Sequence, residues 1–158
     1  FHEKNLIGAM IYGALGMANN WKKFVEAESK VVELKRLCCI DKTPKNTESY
    51  FIGKTLRWMK QNSDYDLVVS YADTYYGHEG IIYKASNFKH MGLTTKGKVI
   101  DYNERYYHDK CIRTYYTNKD GEKVIKPFAQ KIKGALETGE AKYVEMPEKH
   151  IYIYSLKN

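Results

Sequence analysis

The sequence predicts a single α/β (α+β) domain organised around a strand, a polar loop, an amphipathic helix, a second strand and a second helix. Three observations carry this. Residues 31–40 (VVELKRLCCI) form a largely apolar run of strand length, broken only by a polar middle. Residues 48–61 place Ile52, Leu56 and Met59 at i, i+4 and i+7, with Phe51 beside them and Lys54, Arg57 and Gln61 pointing the other way, which is the period of a helix. Residues 66–71 (DLVVSY) are again short and apolar. Strands joined in this order by a helix and short loops predict a parallel pair with a right-handed crossover.

The remaining elements follow in chain order. Residues 5–12 (NLIGAMIY) read as a first strand, with Gly13 and Gly16 as turn signals. Trp21, Phe24 and Val25 give residues 18–29 one apolar helical face. In the loop 41–46 (DKTPKN), Pro44 forbids a sheet interior, and Asn46 or Thr47 can cap the next helix with Ser49 in support. Residues 62–65 (NSDY) form a turn. Residues 77–86 begin the second helix, with Ile81, Ala85 and Phe88 as its expected inner stripe. Strands are expected at 89–93 and 98–102, a turn at 118–121 (NKDG), a short helix at 127–136 and an alternating strand at 150–156 (HIYIYSL).

The 158 residues suffice for one domain with a real core, and 43% hydrophobic content excludes a disordered chain. No apolar run approaches the roughly 20 residues of a membrane-spanning helix, and no signal peptide is recognisable. The chain opens on Phe1, so the domain 1–158 is expected to lack N-terminal residues of the full-length protein. Cys38, Cys39 and Cys111 are odd in number and lack CxxC spacing, which argues against a disulfide framework or a structural zinc and suits a reducing compartment. They read as small buried hydrophobes.

Net charge is +7, unevenly spread: residues 1–83 hold 11 Lys+Arg and 10 Asp+Glu, residues 84–158 hold 15 and 9. The second half also carries tyrosines 102, 106, 107, 115, 116, 143, 152 and 154. Cations interleaved with flat rings suit nucleic acid, although an ordinary basic surface has the same composition.

Two stretches carry candidate chemistry. The loop 41–49 leads into a helix start, where backbone N–H groups and the dipole attract phosphate, and Lys42, Lys45 and Lys54 add charge. Neither GxxxxGK[ST] nor GxGxxG is present. At the carboxyl end of the second strand, Ser70, Tyr71, Asp73, His78 and Glu79 lie where ligands of open α/β sheets bind. Asp73 with His78 can act as general acid and base, or Asp73 can simply cap a helix; one His and two carboxylates also leave a metal, iron included, undecided. Tyr83, on the second helix, can protonate a leaving thiolate or pack in the core.

The segment GIIYKASNF resembles the helix end of GNAT-type N-acetyltransferases, with Asn87 where glycine is usual; NTESYFIGK stands where their [QR]xxGx[GA] signature would be. A closer resemblance lies in LKRLCCI, PKNTESYFIGKTLR, VVSYADTYYGHEGIIYKASNF and KHIYIY, which together are similar to the Mom-type phage proteins over residues 6–156. Its most specific piece is SYAD-x-x-x-GH-x-G-x-I-Y.

That resemblance implies a GNAT-like, mixed and mostly antiparallel sheet flanked by helices, with a parallel strand–helix–strand cofactor core. It implies an enzyme converting adenine N6 in DNA to a carbamoylmethyl derivative and protecting phage DNA from restriction, in the cytoplasm of an infected bacterium. Acetyl-CoA or another acyl-CoA is the implied cofactor, with Asn46, Thr47, Glu48, Ser49, Ile52 and Gly53 at its phosphates. Ser70, Tyr71, Asp73, His78 and Tyr83 would face the acyl group and the amine. Arg105, Tyr106, Tyr107, Lys110, Arg113 and Lys149 would hold double-stranded DNA, with Tyr106, Tyr107 and Tyr115 able to stack on a flipped base. No membrane partner is expected, and a homodimer is one assembly open to the chain. An acyl-CoA-dependent N-acyltransferase on a small or protein amine, and a non-catalytic DNA-binding protein on the same scaffold, are the alternatives.

Overall fold

A computed structural model describes residues 5–16, 22–25 and 30–157. The helix expected over residues 18–29 lies largely outside the described residues. The chain divides into two compact units: residues 1–94 with 149–158, and residues 95–148. In the first, β1 (Gly8–Gly13), β2 (Val31–Cys39), β3 (Leu67–Asp73), β4 (Lys89–Leu93) and β10 (Lys149–Ser155) form one sheet in the order β1-β2-β3-β10-β4. Only β2 and β3 run parallel; the other neighbours are antiparallel. The fold is therefore α+β with mostly antiparallel sheets and few helices, and the parallel strand–helix–strand core is present.

Helix α1 (Thr47–Asn62) joins the parallel strands and buries Ile52, Leu56 and Met59, the stripe its period predicts. These pack with Val32, Leu34, Val68, Ala72, Phe88, Tyr152 and Leu156. The entry to α1 differs from expectation. Asn46 is the N-cap residue but is left-handed (φ 67°) and makes no side-chain cap, while the Thr47 hydroxyl turns back to donate to Pro44 O at 2.6 Å and Ser49 Oγ donates to Asn46 O at 3.1 Å. Pro44 sets up this turn, so the polar side chains serve the loop rather than the helix amides.

The second helix is also corrected. It does not start at Gly77: that residue and Gly80 are both left-handed, and α2 covers only Ile81–Ala85. It stops because Asn87 takes φ 61°, with Asn87 N–H donating to Lys84 O and Phe88 N–H to Tyr83 O, a Schellman end that asparagine tolerates almost as glycine does. Ile81 and Ala85 consequently face solvent; Phe88 is buried as expected, and Ile82 and Tyr83 make the other inner contacts.

In the second unit, β5 (Gly97–Tyr102) lies between β6 (Arg105–His108) and β9 (Lys142–Met146), and β7 (Tyr115–Thr117) with β8 (Lys123–Ile125) forms a hairpin. The hairpin turns at the predicted NKDG, where Asn118 Oδ1 accepts from Asp120 N and Glu122 N. Helix α3 (Pro127–Thr138) packs Ala129, Ile132 and Ala135 inward, with Ile100 and Ala141 in the same small core. The cysteines are free, but their expected burial is corrected: Cys38 is exposed and Cys39 and Cys111 are half-buried. No helix among the described residues is long and apolar enough to cross a membrane.

Candidate active site

The site arises where the parallel ladder ends. β2 pairs with β3 only over Val31–Glu33 against Leu67–Val69. One residue further, β2 carries a bulge: Arg36 faces Ile11 and Leu34 faces Tyr12 on β1, leaving Lys35 without an opposite residue. A bulge bends its strand, and here it bends β2 just past the last paired residue. Between the diverging strands lies a cleft of ≈ 490 Å³, lined by Leu34–Leu37 on one side, Tyr71–Asp73 on the other, and residues 77–83 with Glu48. That volume falls in the range of small-molecule sites.

Ser70 does not line the cleft but is bonded to its wall. It is fully buried, and its Oγ donates to Leu34 O at 3.1 Å, a carbonyl the ladder no longer engages. Tyr83 reaches the same point from α2 and shares a hydrogen bond with Ser70. Its ring packs between Phe88 and Tyr152, at 5.5 and 5.3 Å. Burial raises its phenol pKa, and the bond to Ser70 offsets this only in part. Burial likewise raises Tyr71, with the Glu33 carboxylate adding to the effect. Both phenols therefore stay protonated at neutral pH and act as hydrogen-bond or proton donors, not bases.

The outer wall is the loop Gly77-His78-Glu79-Gly80. Tyr152 holds it: its hydroxyl donates to Glu79 O at 2.6 Å, and the ring lies against Gly80. His78 and Glu79 are exposed at the cleft mouth. Asp73 is engaged three ways: Oδ1 accepts from Tyr75 N at 3.1 Å, the backbone carbonyl accepts from His78 N, and the carboxylate pairs with Lys149. Among the described residues, no three His, Cys, Asp or Glu side chains gather as a metal site would require.

A sequence comparison bears on this geometry. The profile of the Mom protein family matches residues 1–158. The chain belongs to the Mom family. It is also similar to the methylcarbamoylase mom of Escherichia phage Mu, 28% identical over 112 residues, which is 69% of this chain and 46% of that relative. The chain thus spans about half the length of the curated Mom relative it matches.

In this Mom-family chain, Tyr71, Asp73, His78 and Tyr83 line one cleft, whereas Ser70 is fully buried and touches it only through its bonds to Leu34 and Tyr83. The six positions expected at cofactor phosphates do not stay together. Only Glu48 lines the cleft, Ile52 is wholly within the core, and Thr47 lines a separate small pocket with Cys39, Tyr50 and Lys54. Of the expected DNA contacts, Lys149 stands beside Asp73, whereas Arg105, Tyr106, Tyr107, Lys110 and Arg113 belong to the second unit. There Tyr107 packs on Phe128 at 5.6 Å and Arg113 pairs with Asp109 at 2.7 Å.

Charge also divides differently by unit than by half. The second unit holds 11 Lys+Arg and 9 Asp+Glu, leaving 15 and 10 on the first. Sequence reasoning missed Lys35 and Arg36, the exposed cations on the cleft wall, and Tyr152 beneath the loop. The polar break in an otherwise apolar strand was the available signal for the first two.

Proposed function

We propose that this chain forms the reaction cleft of a GNAT-like enzyme that modifies adenine N6 in double-stranded DNA, attaching a carbamoylmethyl group and so protecting phage DNA from restriction. The observation that carries this reading is a splayed cleft at the carboxyl ends of two parallel strands in a chain of the Mom family. The adenine must leave the stack to reach such a cleft. Its N6 lone pair is delocalised into the ring, so the N6 proton has to be removed as the new N–C bond forms. His78 or Glu79, exposed at the mouth, would take that proton. Asp73, already paired with Lys149, orients the loop that presents them. Tyr83 and Tyr71, held neutral, donate to oxygen on the incoming group or protonate what leaves.

An acyl-CoA is the cofactor the family resemblance implies. Acyl transfer from it would break the thioester C–S bond, release CoA thiol and join N6 to a carbonyl carbon. A carbamoylmethyl group is joined through its methylene carbon, so acyl transfer alone does not make that product. The start of α1 does not fit an acyl-CoA pyrophosphate either. Glu48 brings a carboxylate into the first turn, and the Thr47 and Ser49 hydroxyls are engaged with carbonyls.

The test is to express the full-length protein with plasmid DNA, digest to nucleosides and measure mass. An adenosine heavier by a carbamoylmethyl group is expected. Unmodified adenosine, together with CoA release on small amines, would overturn the reading in favour of ordinary acyl transfer. Unmodified adenosine with DNA binding intact and no CoA release would leave only a binding role.

A further inference from the structure

We infer that Tyr76 and Ile81 form the wedge that enters a DNA duplex at the cleft mouth and occupies the space vacated by the target base. The inference rests on the DNA-modification reading above and adds to it the residues that open the duplex.

The two are the most exposed large hydrophobic side chains among the described residues, at 69% and 71%. They flank the loop 77–80 on either side, so they bracket the His78 and Glu79 that line the cleft. Ile81 itself lies on the cleft rim, and the Tyr76 ring centroid is 6.2 Å from that of His78. Neither side chain projects from a loose tip. Gly77 and Gly80 fix the loop's path in left-handed conformations, the Tyr152 hydroxyl holds Glu79 O, and the Tyr75 ring meets Tyr76 edge-on at 5.0 Å. A flat ring and a branched aliphatic chain are the side-chain types that stack on bases and part them.

The net charge of this unit, 15 Lys+Arg against 10 Asp+Glu, favours nucleic acid over a protein partner, while Glu48, Asp73 and Glu79 put carboxylates on the cleft lining itself. Lys35 and Arg36 stand exposed on the opposite wall of the cleft, Lys84 lies three residues beyond Ile81 on α2, and this unit carries the larger part of the chain's positive charge. A phosphate backbone laid across the mouth meets cations on both sides of the wedge.

The experiment uses duplexes with 2-aminopurine, fluorescent when unstacked, at an adenine the full-length enzyme modifies. One duplex is fully paired; in the other the target faces an abasic site and needs little opening. Tyr76→Ala and Ile81→Ala are expected to lower the fluorescence rise about tenfold on the paired duplex, the scale of one lost stacking contact. They should leave the abasic-opposed duplex within about twofold, and Tyr76→Trp should retain the signal. Equal losses on both duplexes, or none on the paired one, would overturn the wedge. A change of oligomeric state with unstacking intact would overturn it in favour of a protein interface. If the unaltered protein neither binds nor modifies DNA, the parent reading fails, and that failure is separate from a selective loss in the variants.

Discussion

Replacing Gly80 by alanine, beside the same change at Gly77, isolates what holds the loop 77–80. Both glycines are left-handed, with φ of 69° and 71°. A left-handed alanine costs about 1–2 kcal/mol on backbone grounds alone. At Gly77 nothing lies within 4 Å of an added Cβ, so that cost is the whole effect. At Gly80 an added Cβ would stand 2.6 Å from Tyr152 Cζ and 2.9 Å from its Oη, closer than atoms can approach. Tyr152 is fully buried and cannot swing aside, so the loop must lift. Lifting breaks the Tyr152 hydroxyl bond to Glu79 O, worth about 1 kcal/mol, and adds overpacking strain of about 1–3 kcal/mol. Gly80→Ala is thus expected to destabilise by about 3–6 kcal/mol and Gly77→Ala by about 1–2 kcal/mol. Urea unfolding followed by tryptophan fluorescence measures the difference. Equal losses at the two positions would refute the argument, because they would place the loop's constraint in backbone conformation rather than in the Tyr152 ring.

Four further outcomes follow from the same contacts. Tyr152→Phe keeps the ring and loses only the bond to Glu79 O; denaturant melts should show a loss of about 1–2 kcal/mol, with adenine modification falling more steeply than stability. Ser70→Ala removes the bond to Leu34 O and the partner that lowers the Tyr83 phenol, so absorbance titration should show the Tyr83 pKa rising further above its already raised value. Asp73→Asn breaks a partly exposed ion pair with Lys149; its stability cost should stay within about 1 kcal/mol while modification, read by nucleoside mass, drops severely. Finally, Asp64 is held below the ordinary 3.8 chiefly by Lys30, and Asp66 chiefly by Lys157. Their contribution is then present above pH about 4 and lost as the pH falls through the depressed values. Melts of the native protein and Lys30→Met should differ, modestly, above pH about 4 and converge as the pH falls through the depressed values.

Some of the architecture was legible because its causes are local. The α1 stripe of Ile52, Leu56 and Met59 announces a helix wherever it occurs, and Asn118–Gly121 is a turn by its own side chains. Strand–helix–strand order with short links leaves the parallel β2–β3 pair almost no alternative. The extent of α2 was less legible. Its apolar spacing allowed a helix from Gly77 to Ser86, and the left-handed backbone at Gly80 and Asn87 confined it to Ile81–Ala85. That shift turned Ile81 from an inner residue into an exposed one on the cleft rim.

The sequence by itself determined the residue types of the site and placed most of them, from Ser70 to Tyr83, in one short stretch. It also determined membership of the Mom family, because 158 ordered residue choices suffice for that comparison. Only the tertiary structure decided where the cleft opens. That depends on a bulge at Lys35 set by pairing with β1, on Ser70 capturing the Leu34 carbonyl, and on Tyr152, which reaches the loop from 73 residues away. None of these leaves a periodic or local trace, since each is a contact between segments that only folding brings together.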